Sequence, residues 1–383
     1  MTGDSPFRPG SAAQPPVLAG REHLVNLVHT ATSTTGNRRE SFQVLYGPRG
    51  VGKTCLLDRY ADIVTERDWV TVRHEARSPG DPIGAILDRL HDAEGLTRKL
   101  TRQLLDLRER WGDESQSLNL GVYRHEMRRQ RKEPIPVAEQ FADVVVAVAA
   151  ELTRKQRGLL IVVDEVQEVH PDELGAFGPV IQQLQRRAEL TAMIVFGGLP
   201  ATPQLVTRAV TYGERMAFHA IDNLDEAATA HALAQPAKDA GRPFDADALD
   251  RLVTVTEGYP FFVQLYGDYT WQESVGARSI SLEHVEAGID LALNDSRRGI
   301  YLARWNKLPA AQQRYLAAMA RLSTSDPVGT GNIATAMGKP IQSLSDTRNE
   351  LLEAGILIAP RQGHIASSLP GFLDYVLTVA DEP

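Results

Sequence analysis

The stretch GPRGVGKT, at residues 47–54, constrains the fold of this 383-residue chain more than any other feature. It matches the pattern G-x-x-x-x-G-K-[ST], in which backbone N–H groups surround phosphate oxygens and the lysine brings a positive charge to them. A strand candidate, FQVLY, precedes it, and apolar residues at helical spacing follow it: Leu56, Leu57, Tyr60, Ile63 and Val64. A strand, a glycine-rich loop and a helix in this order predict a binding site for the phosphates of a nucleotide.

We expect contacts to that nucleotide from the loop and from the residue after it: Gly47, Pro48, Arg49, Gly50, Val51, Gly52, Lys53, Thr54 and Cys55. A Cβ at Gly52 would obstruct the phosphates, Lys53 would pair with the β- and γ-phosphates, and the Thr54 hydroxyl would bind Mg²⁺. The following helix would begin with its free N–H groups facing the anion. The alternative, a chance match in a surface loop, is disfavoured by the flanking strand and helix.

The stretch LLIVVDEVQ, at residues 159–167, supplies carboxylates for such a site. Leu159 to Val163 is a continuous apolar run, typical of a strand buried on both faces. Asp164 falls at the end of that strand, the side on which ligands bind in open α/β sheets, and it is suited to hold Mg²⁺ through water. Glu165 is suited to polarise the attacking water in hydrolysis. An ordinary buried strand with an acidic turn is the alternative, and the phosphate loop upstream favours the functional interpretation.

Further strand candidates begin at Trp69, Thr191 and Met216. The clearest helix candidate has an apolar stripe with the helical period: Val137, Phe141, Val144, Val145, Val148 and Leu152. Strands that alternate with helices predict an α/β fold with a doubly wound parallel sheet. The extra strand between the two motifs, together with Glu165, resembles the additional-strand branch of the phosphate-loop ATPases. In that branch the strand from Thr191 would lie between the two strands that carry the motifs.

Four more stretches resemble one family of that branch, in the family's order: LAGREHLVNLV, GGLPATPQLV, YGERMAFHAIDNL and EGYPFFVQLYGDYTW. The family is the origin-recognition-like AAA+ ATPases of bacteria and archaea, which are related to the signal-transduction ATPases with numerous domains. The resemblance spans residues 18 to about 377. It implies binding of ATP and Mg²⁺, a nucleotide contact by Arg21, and packing of Pro260 on the base. Helix punctuation is the alternative for Gly258-Tyr259-Pro260, with glycine ending one helix and proline beginning the next, and both interpretations can hold together.

The resemblance also implies assembly, because AAA+ ATPases act as rings or filaments in which an arginine of one subunit reaches the γ-phosphate of its neighbour. Arg215, just before the strand candidate from Met216, stands where the family has that arginine, and Arg208 is the reserve candidate. Arginine suits this role because its charge is permanent and its planar fork matches phosphate oxygens. The alternative is a surface arginine paired with Glu214 or another acid. We therefore expect a homo-oligomer in the ATP state.

One departure from the family pattern lies at the end of the strand from Thr191. AAA+ proteins usually have a polar residue there that senses the γ-phosphate, whereas this chain has FGGLP at residues 196–200. Thr202 is the nearest hydroxyl. We therefore expect ATP to be bound but hydrolysed slowly.

The pattern divides the chain into a disordered tail, an ATPase core, a helical lid and a winged helix-turn-helix domain, at residues 1–16, 17–221, 222–300 and 301–383. The tail is rich in Pro, Gly, Ser and Ala. In the last segment, helix candidates at residues 309–322, 331–337 and 341–354 are followed by a hairpin, which is the order of a winged helix.

The charge of this last segment leaves its partner open between DNA and protein. Residues 300–383 carry seven basic and seven acidic residues, and the third helix has Asp346, Glu350 and Glu353 against Arg348. Because a DNA-binding helix needs Lys and Arg for phosphates, docking of a protein is as well supported as reading of DNA. The strongest basic run lies elsewhere: Arg124, Arg128, Arg129, Arg131 and Lys132. It is interpreted as a solvated loop or helix end, or as an insertion that contacts a nucleic-acid strand or a partner.

Composition narrows the class of protein. No run approaches the roughly 18 apolar residues that a membrane helix needs. The single cysteine, Cys55, rules out an intrachain disulfide and fits a reducing cytoplasm, and the net charge of −8 argues against a globally basic nucleic-acid binder. The sequence thus predicts a cytoplasmic ATPase that assembles with ATP and associates with DNA through its winged helix or basic insertion. The alternative is a nucleotide-dependent signalling or defence switch whose winged helix docks a protein.

Overall fold

The structure is a computed structural model that describes residues 4–10, 13–32, 38–77, 80–119, 137–322 and 327–380. The chain divides into two compact units. The sheet unit comprises His23–Tyr46 and Leu56–Ala220, and the lid unit comprises Met1–Glu22, Gly47–Cys55 and Ile221–Pro383. The basic run from Arg124 to Lys132 lies outside the described residues.

A parallel sheet forms the centre of the sheet unit, with five strands within the described residues. They are β1 (Phe42–Tyr46), β2 (Val70–Glu75), β3 (Leu159–Asp164), β4 (Ala192–Gly198) and β5 (Ala217–Ala220). Their order is β2-β3-β4-β1-β5, and each neighbouring pair is parallel. β4 lies between β1 and β3, so the position predicted for the strand from Thr191 is confirmed. Because the strands run the same way, Tyr46 and Asp164 end β1 and β3 at one edge of the sheet.

The helices along this part of the chain are α1 (Glu22–Ala31), α2 (Lys53–Thr65), α3 (Pro82–His91), α4 (Arg98–Asn119), α5 (Val137–Arg154), α6 (Pro171–Gly175), α7 (Phe177–Arg186) and α8 (Thr202–Ala209). Every residue of β3 and β4 is buried, as an apolar strand covered on both faces requires. The stripe predicted on α5 belongs to the same core, where Phe141 and Phe196 contact Phe177 edge-on, with ring centroids 5.6 and 5.2 Å apart. The predicted doubly wound α/β fold is confirmed.

The helical lid follows β5 in the chain. It consists of α9 (Glu226–Asp239), α10 (Ala246–Thr256), α11 (Pro260–Glu273) and α12 (Leu282–Ser296). Asp225 caps α9, since its side chain accepts a hydrogen bond from the Ala228 N–H at 2.7 Å. α11 is apolar around most of its circumference, and it is buried because it packs against α9, α10 and α12.

The last segment continues from α12 without a break in the helix. A π-helical turn at Arg297–Tyr301 joins α12 to α13 (Leu302–Asn306). After it come α14 (Ala310–Ala320), β6 (Val328–Gly329), α15 (Thr330–Ala336), α16 (Ser345–Glu353), β7 (Leu357–Arg361), β8 (His364–Ser367) and α17 (Phe372–Ala380). The antiparallel strands lie in the order β6-β8-β7. The predicted helices and hairpin are thus present as elements, while the winged helix itself stays a prediction. Among the described helices, none has the length and apolar character to cross a bilayer.

The segment predicted to be a disordered N-terminal tail is packed over part of its length. Phe7 is 3% exposed, and it lies so close to Gly267 of α11 that a Cβ there would be 2.7 Å from its ring. The Arg8 N–H donates to Gln264 Oε1 at 3.0 Å. The expectation of disorder is therefore wrong for residues 4–10, because one aromatic side chain fits over a glycine of the lid.

Candidate nucleotide site

The phosphate loop belongs to the lid unit and follows directly after β1. Gly50 and Gly52 have φ of +86° and +90°, in the region that favours glycine. No described protein atom lies within 4 Å of the position that a Cβ at Gly52 would take, so that side of the loop is open. A Cβ at Gly47 would overlap the carbonyl oxygen of Ile221. Each of these glycines is therefore required, by its backbone conformation or by a close approach.

Lys53 is the first residue of α2, and its side chain turns back into the loop. It is 7% exposed, and its Nζ donates to the carbonyl oxygens of Gly47 at 2.9 Å and Pro48 at 2.7 Å. A buried ammonium requires such acceptors. These contacts hold a positive charge within the curve of the loop, where the sequence predicts phosphate binding.

Arg21 contacts the backbone of the loop. Its Nη2 donates to the Val51 carbonyl at 3.3 Å and also to the Asp222 carbonyl. Burial lowers the pKa of Arg21, and the charges of Asp222, Glu22 and Asp225 act in the opposite direction. Arg21 thus contacts the backbone of the loop, and its predicted contact with the nucleotide stays a prediction.

Tyr259 and Arg304 also contact the loop, and sequence reasoning did not single them out for this. The Tyr259 hydroxyl donates to the Arg49 carbonyl at 2.8 Å, and Arg304 Nη2 donates to the Tyr259 oxygen at 3.0 Å and to the Arg49 carbonyl at 3.4 Å. A Cβ at Gly50 would overlap the Tyr259 hydroxyl. Arg304 and Arg49 are 255 residues apart, so no local pattern could have linked them.

Cys55 ends the loop segment, and its backbone and thiol both contact the N-terminal segment. Its Sγ donates to the Ala13 carbonyl at 3.4 Å, and its own carbonyl accepts from Gln14 Nε2 at 3.0 Å. The thiol is half-buried. The predicted contact of Cys55 with the nucleotide stays a prediction.

The turn at Gly258-Tyr259-Pro260 separates α10 from α11, as one of the two interpretations expects. Gly258 has a φ of +66° just after α10, and Pro260 is the first residue of α11. The Leu224 N–H donates to the Gly258 carbonyl at 2.8 Å, which fixes the turn against the start of the lid. Packing of Pro260 on the base stays a prediction.

This geometry predicts a large loss of stability for Gly258→Ala. The new Cβ would combine a left-handed φ with overlap of the Leu224 carbonyl, whereas Gly241, with a φ of +80°, has no described neighbour within 4 Å of such a Cβ. We expect Gly258→Ala to lower the free energy of unfolding by about 2–4 kcal/mol and the control Gly241→Ala by about 1 kcal/mol. Urea unfolding measures both. Equal losses would contradict the role given to the Leu224 contact.

The carboxylates predicted for the site lie at the end of β3, in the sheet unit. Asp164 is 2% exposed, and its Oδ1 accepts from the Glu165 N–H at 2.9 Å. Arg73 of β2 lies 3.7 Å from Asp164 Oδ2 and also pairs with Asp58. Glu165 has a φ of +53°, an uncommon conformation for a residue with a side chain and one that is enriched at functional sites.

Gln167 joins Glu165 to the end of β4, and sequence reasoning missed it. Its Nε2 donates to a carboxylate oxygen of Glu165, and its Oε1 accepts from the Leu199 N–H at 3.1 Å. Thr202 carries the hydroxyl that lies nearest to this strand end in the sequence. It is fully buried, and its Oγ1 has no hydrogen-bond partner among the described residues. The polar group at this strand end therefore comes from the turn after β3 and not from β4. The glutamine of DEVQ, shortly after the strand that carries Asp164, is the sequence signal that could have identified Gln167.

Two families match parts of the sequence. Residues 17–196 match a family described as "AAA ATPase domain". The matched residues include the phosphate loop and β3. The fold is that of a P-loop AAA+ ATPase domain. Residues 298–376 match a family described as "Domain of unknown function (DUF8462)". No curated protein matches the chain.

Solved structures resemble the AAA+ fold of this chain over most of its length. A Walker-type ATPase of Pyrococcus abyssi is 11% identical with a TM-score of 0.61, over 98% of this chain and 99% of that one. The Holliday junction branch migration motor RuvB of Thermotoga maritima is 15% identical with a TM-score of 0.48, over 93% and 96% of the two chains. Cdc6p of Pyrobaculum aerophilum is 16% identical with a TM-score of 0.47, over 97% and 95%.

Both arginines predicted to act across subunits of an AAA+ assembly are exposed. Arg215 ends a 3₁₀ turn before β5, and its guanidinium lies 4.6 Å from the centre of the Tyr212 ring. Within the described residues it forms no ion pair, so the alternative of pairing with Glu214 is not observed. Arg208 lies in the last turn of α8. Their action across subunits stays a prediction.

The described residues contain no group of three or more acidic, His or Cys side chains that could hold a metal. The Mg²⁺ roles of Thr54 and Asp164 therefore stay predictions.

Proposed function

We propose that this protein binds ATP with Mg²⁺ at its phosphate loop and hydrolyses it slowly. The observation that carries the proposal is the buried ammonium of Lys53 inside a loop with Gly50 and Gly52 at positive φ. This arrangement suits an anion, because the loop can turn its N–H groups to phosphate oxygens while Lys53 supplies the charge.

The residues present fit a magnesium nucleotide. The Thr54 hydroxyl and the Asp164 carboxylate are oxygen donors of the kind that Mg²⁺ prefers. When bound, Mg²⁺ neutralises negative charge on the β- and γ-phosphates. In our proposal Lys53 binds phosphate oxygens and Glu165 orients the attacking water and accepts its proton.

The contacts of Glu165 support slow turnover. One of its carboxylate oxygens accepts from Gln167, which is itself fixed by the Leu199 N–H. Glu165 must therefore share or release this bond when it accepts the proton of water. Titration calorimetry with Mg-ATP, followed by a phosphate-release assay, tests the proposal. Failure of the wild-type protein to bind Mg-ATP would refute it.

The C-terminal segment carries a second candidate function. We propose that residues 301–383 form a winged helix that docks a protein partner when ATP assembles the subunits. The exposed acids of α16, Asp346, Glu350 and Glu353, favour a protein over DNA, because DNA phosphates would repel them. The resemblance to origin-recognition-like ATPases supports the other possibility, association with DNA.

The salt dependence of DNA binding distinguishes these partners. We expect a 30-base-pair duplex to bind weakly, and its affinity to fall less than about tenfold between 50 and 200 mM salt, whereas six to ten phosphate contacts would cost about 10³- to 10⁵-fold. Fluorescence anisotropy with the whole protein measures this. A steep loss would favour DNA association, and its disappearance in Arg128→Ala/Arg129→Ala would assign the contacts to the basic run.

A further inference from the structure

Tyr259 and Arg304 form a short chain of hydrogen bonds that ends on the backbone of the phosphate loop. Arg304 donates to the Tyr259 oxygen, and the Tyr259 hydroxyl donates in turn to the Arg49 carbonyl. Such a chain strengthens itself, because each bond polarises the next. Burial raises the pKa of Tyr259, so its hydroxyl keeps the proton that it donates. The Tyr259 side chain is fully buried, which makes this contact part of the packed interior of the lid unit.

The contact determines which way a loop N–H group points. A trans peptide is planar, with its C=O and N–H on opposite sides. Because Tyr259 holds the Arg49 carbonyl, the Gly50 N–H of the same peptide must point away from Tyr259. Arg21 has the same effect one step further on, through the Val51 carbonyl and the Gly52 N–H. The carbonyls of Arg49 and Val51 are therefore fixed by side chains, and the N–H groups of Gly50 and Gly52 are left pointing away from those side chains, free to face a ligand.

Arg304 is supplied by the segment that follows the lid, and its position is set there. Tyr301, one helical turn earlier, is 1% exposed and donates to the Pro370 carbonyl at 2.7 Å. Its ring contacts Phe262 of α11 and Tyr375 of α17, at centroid distances of 6.1 and 5.5 Å. The π-helical turn that ends at Tyr301 is a local irregularity of a kind frequent at functional sites.

We propose that Tyr259 and Arg304 are positioning residues that hold the phosphate loop in its phosphate-binding conformation, and that nucleotide affinity thereby depends on the C-terminal segment. The inference rests on the proposed binding of ATP, and it assigns part of that site to a residue within the match to the domain of unknown function. Neither side chain has to touch the nucleotide to act in this way.

The test compares affinities for Mg-ADP and for the non-hydrolysable Mg-AMP-PNP by titration calorimetry in Tyr259→Phe, Arg304→Met, the double variant and a matched control. The control is Tyr266→Phe, which removes the hydroxyl of a second buried tyrosine, one that lies within α11. We expect about five- to tenfold weaker binding for Tyr259→Phe and about three- to fivefold for Arg304→Met, in line with the loss of one hydrogen bond. Since Arg304 acts mainly through Tyr259, the double variant should lose less than the product of the two.

The outcomes separate positioning from a structural role. If Tyr259→Phe lowers only the melting temperature of the unliganded protein, and both affinities match those of Tyr266→Phe, the inference is overturned while the proposed ATP binding stands. Losses that multiply fully in the double variant would overturn the route through Tyr259. Absence of binding by the wild-type protein would refute the proposed function and this inference with it.

Discussion

Lys53→Ala is expected to weaken binding of Mg-ATP by about 100-fold or more, since charge-assisted hydrogen bonds contribute about 1.5–3 kcal/mol each and the lysine supplies more than one. The variant also removes the side chain that joins α2 to the carbonyls of Gly47 and Pro48, so the loop loses both its cation and an internal support. Titration calorimetry measures the affinity. Lys307→Ala, which removes an exposed lysine of the same unit, is the matched control and should bind Mg-ATP like the wild type.

Unchanged affinity in Lys53→Ala would be incompatible with a phosphate site at this loop. A melting curve of the unliganded variant separates loss of binding from loss of fold. A folded variant that no longer binds, beside a Lys307→Ala variant that does, is the result that the structure leads us to expect.

Mixing two inactive variants is expected to restore ATP turnover if Arg215 acts across a subunit boundary. Glu165→Gln should bind Mg-ATP but hydrolyse it about 10²- to 10³-fold more slowly, because an amide cannot accept the proton of water. Arg215→Ala keeps an intact pocket but removes a guanidinium that can contribute about 10³-fold or more to turnover when it reaches a neighbouring γ-phosphate. In a mixture, some interfaces join the intact pocket of one subunit to the intact arginine of the other.

Phosphate release by the mixture, against each variant alone, measures this complementation. Glu168→Gln, which changes an exposed acid of the same turn, is the control for Glu165→Gln and should retain wild-type turnover. If the variants assemble and mixing restores nothing, Arg215 does not act between subunits, and Arg208→Ala should then be tested in the same way. Wild-type turnover by Arg215→Ala alone would remove it from the reaction altogether.

The parts of the fold that could be predicted are those that follow from local patterns in the sequence. A phosphate loop has fixed spacing, β3 is a continuous apolar run, and α5 shows the helical period, so each element is recognisable within a few residues of chain. The position of β4 between β1 and β3 followed from family resemblance and not from any property of β4 itself.

The supports of the site could not be predicted in this way. Tyr259 and Arg304 meet the loop across 210 and 255 residues of chain. The resemblance drew attention to the turn that contains Tyr259, but it gave neither side chain a contact with the loop. Gln167 brings a polar side chain to the end of β4 from a different part of the chain, which a comparison of strand ends alone could not reveal. Phe7 lies in a segment whose composition predicts disorder, and its burial depends on the absence of a side chain at Gly267. Each of these features arises from tertiary packing.

The π-helical turn between α12 and α13 gives the C-terminal segment a defined rotational phase. An α-helix turns by about 100° for each residue, so a helix that gains or loses one residue presents a different face from that point onward. The backbone stays helical from Ser296 to Leu302, and all the later residues are therefore offset relative to an uninterrupted α-helix. Deletion of a single residue between Arg297 and Tyr301 would turn Arg304 away from Tyr259 without changing any residue of the phosphate loop. In relatives of this chain, the length of that turn would be as informative about the site as the motif itself.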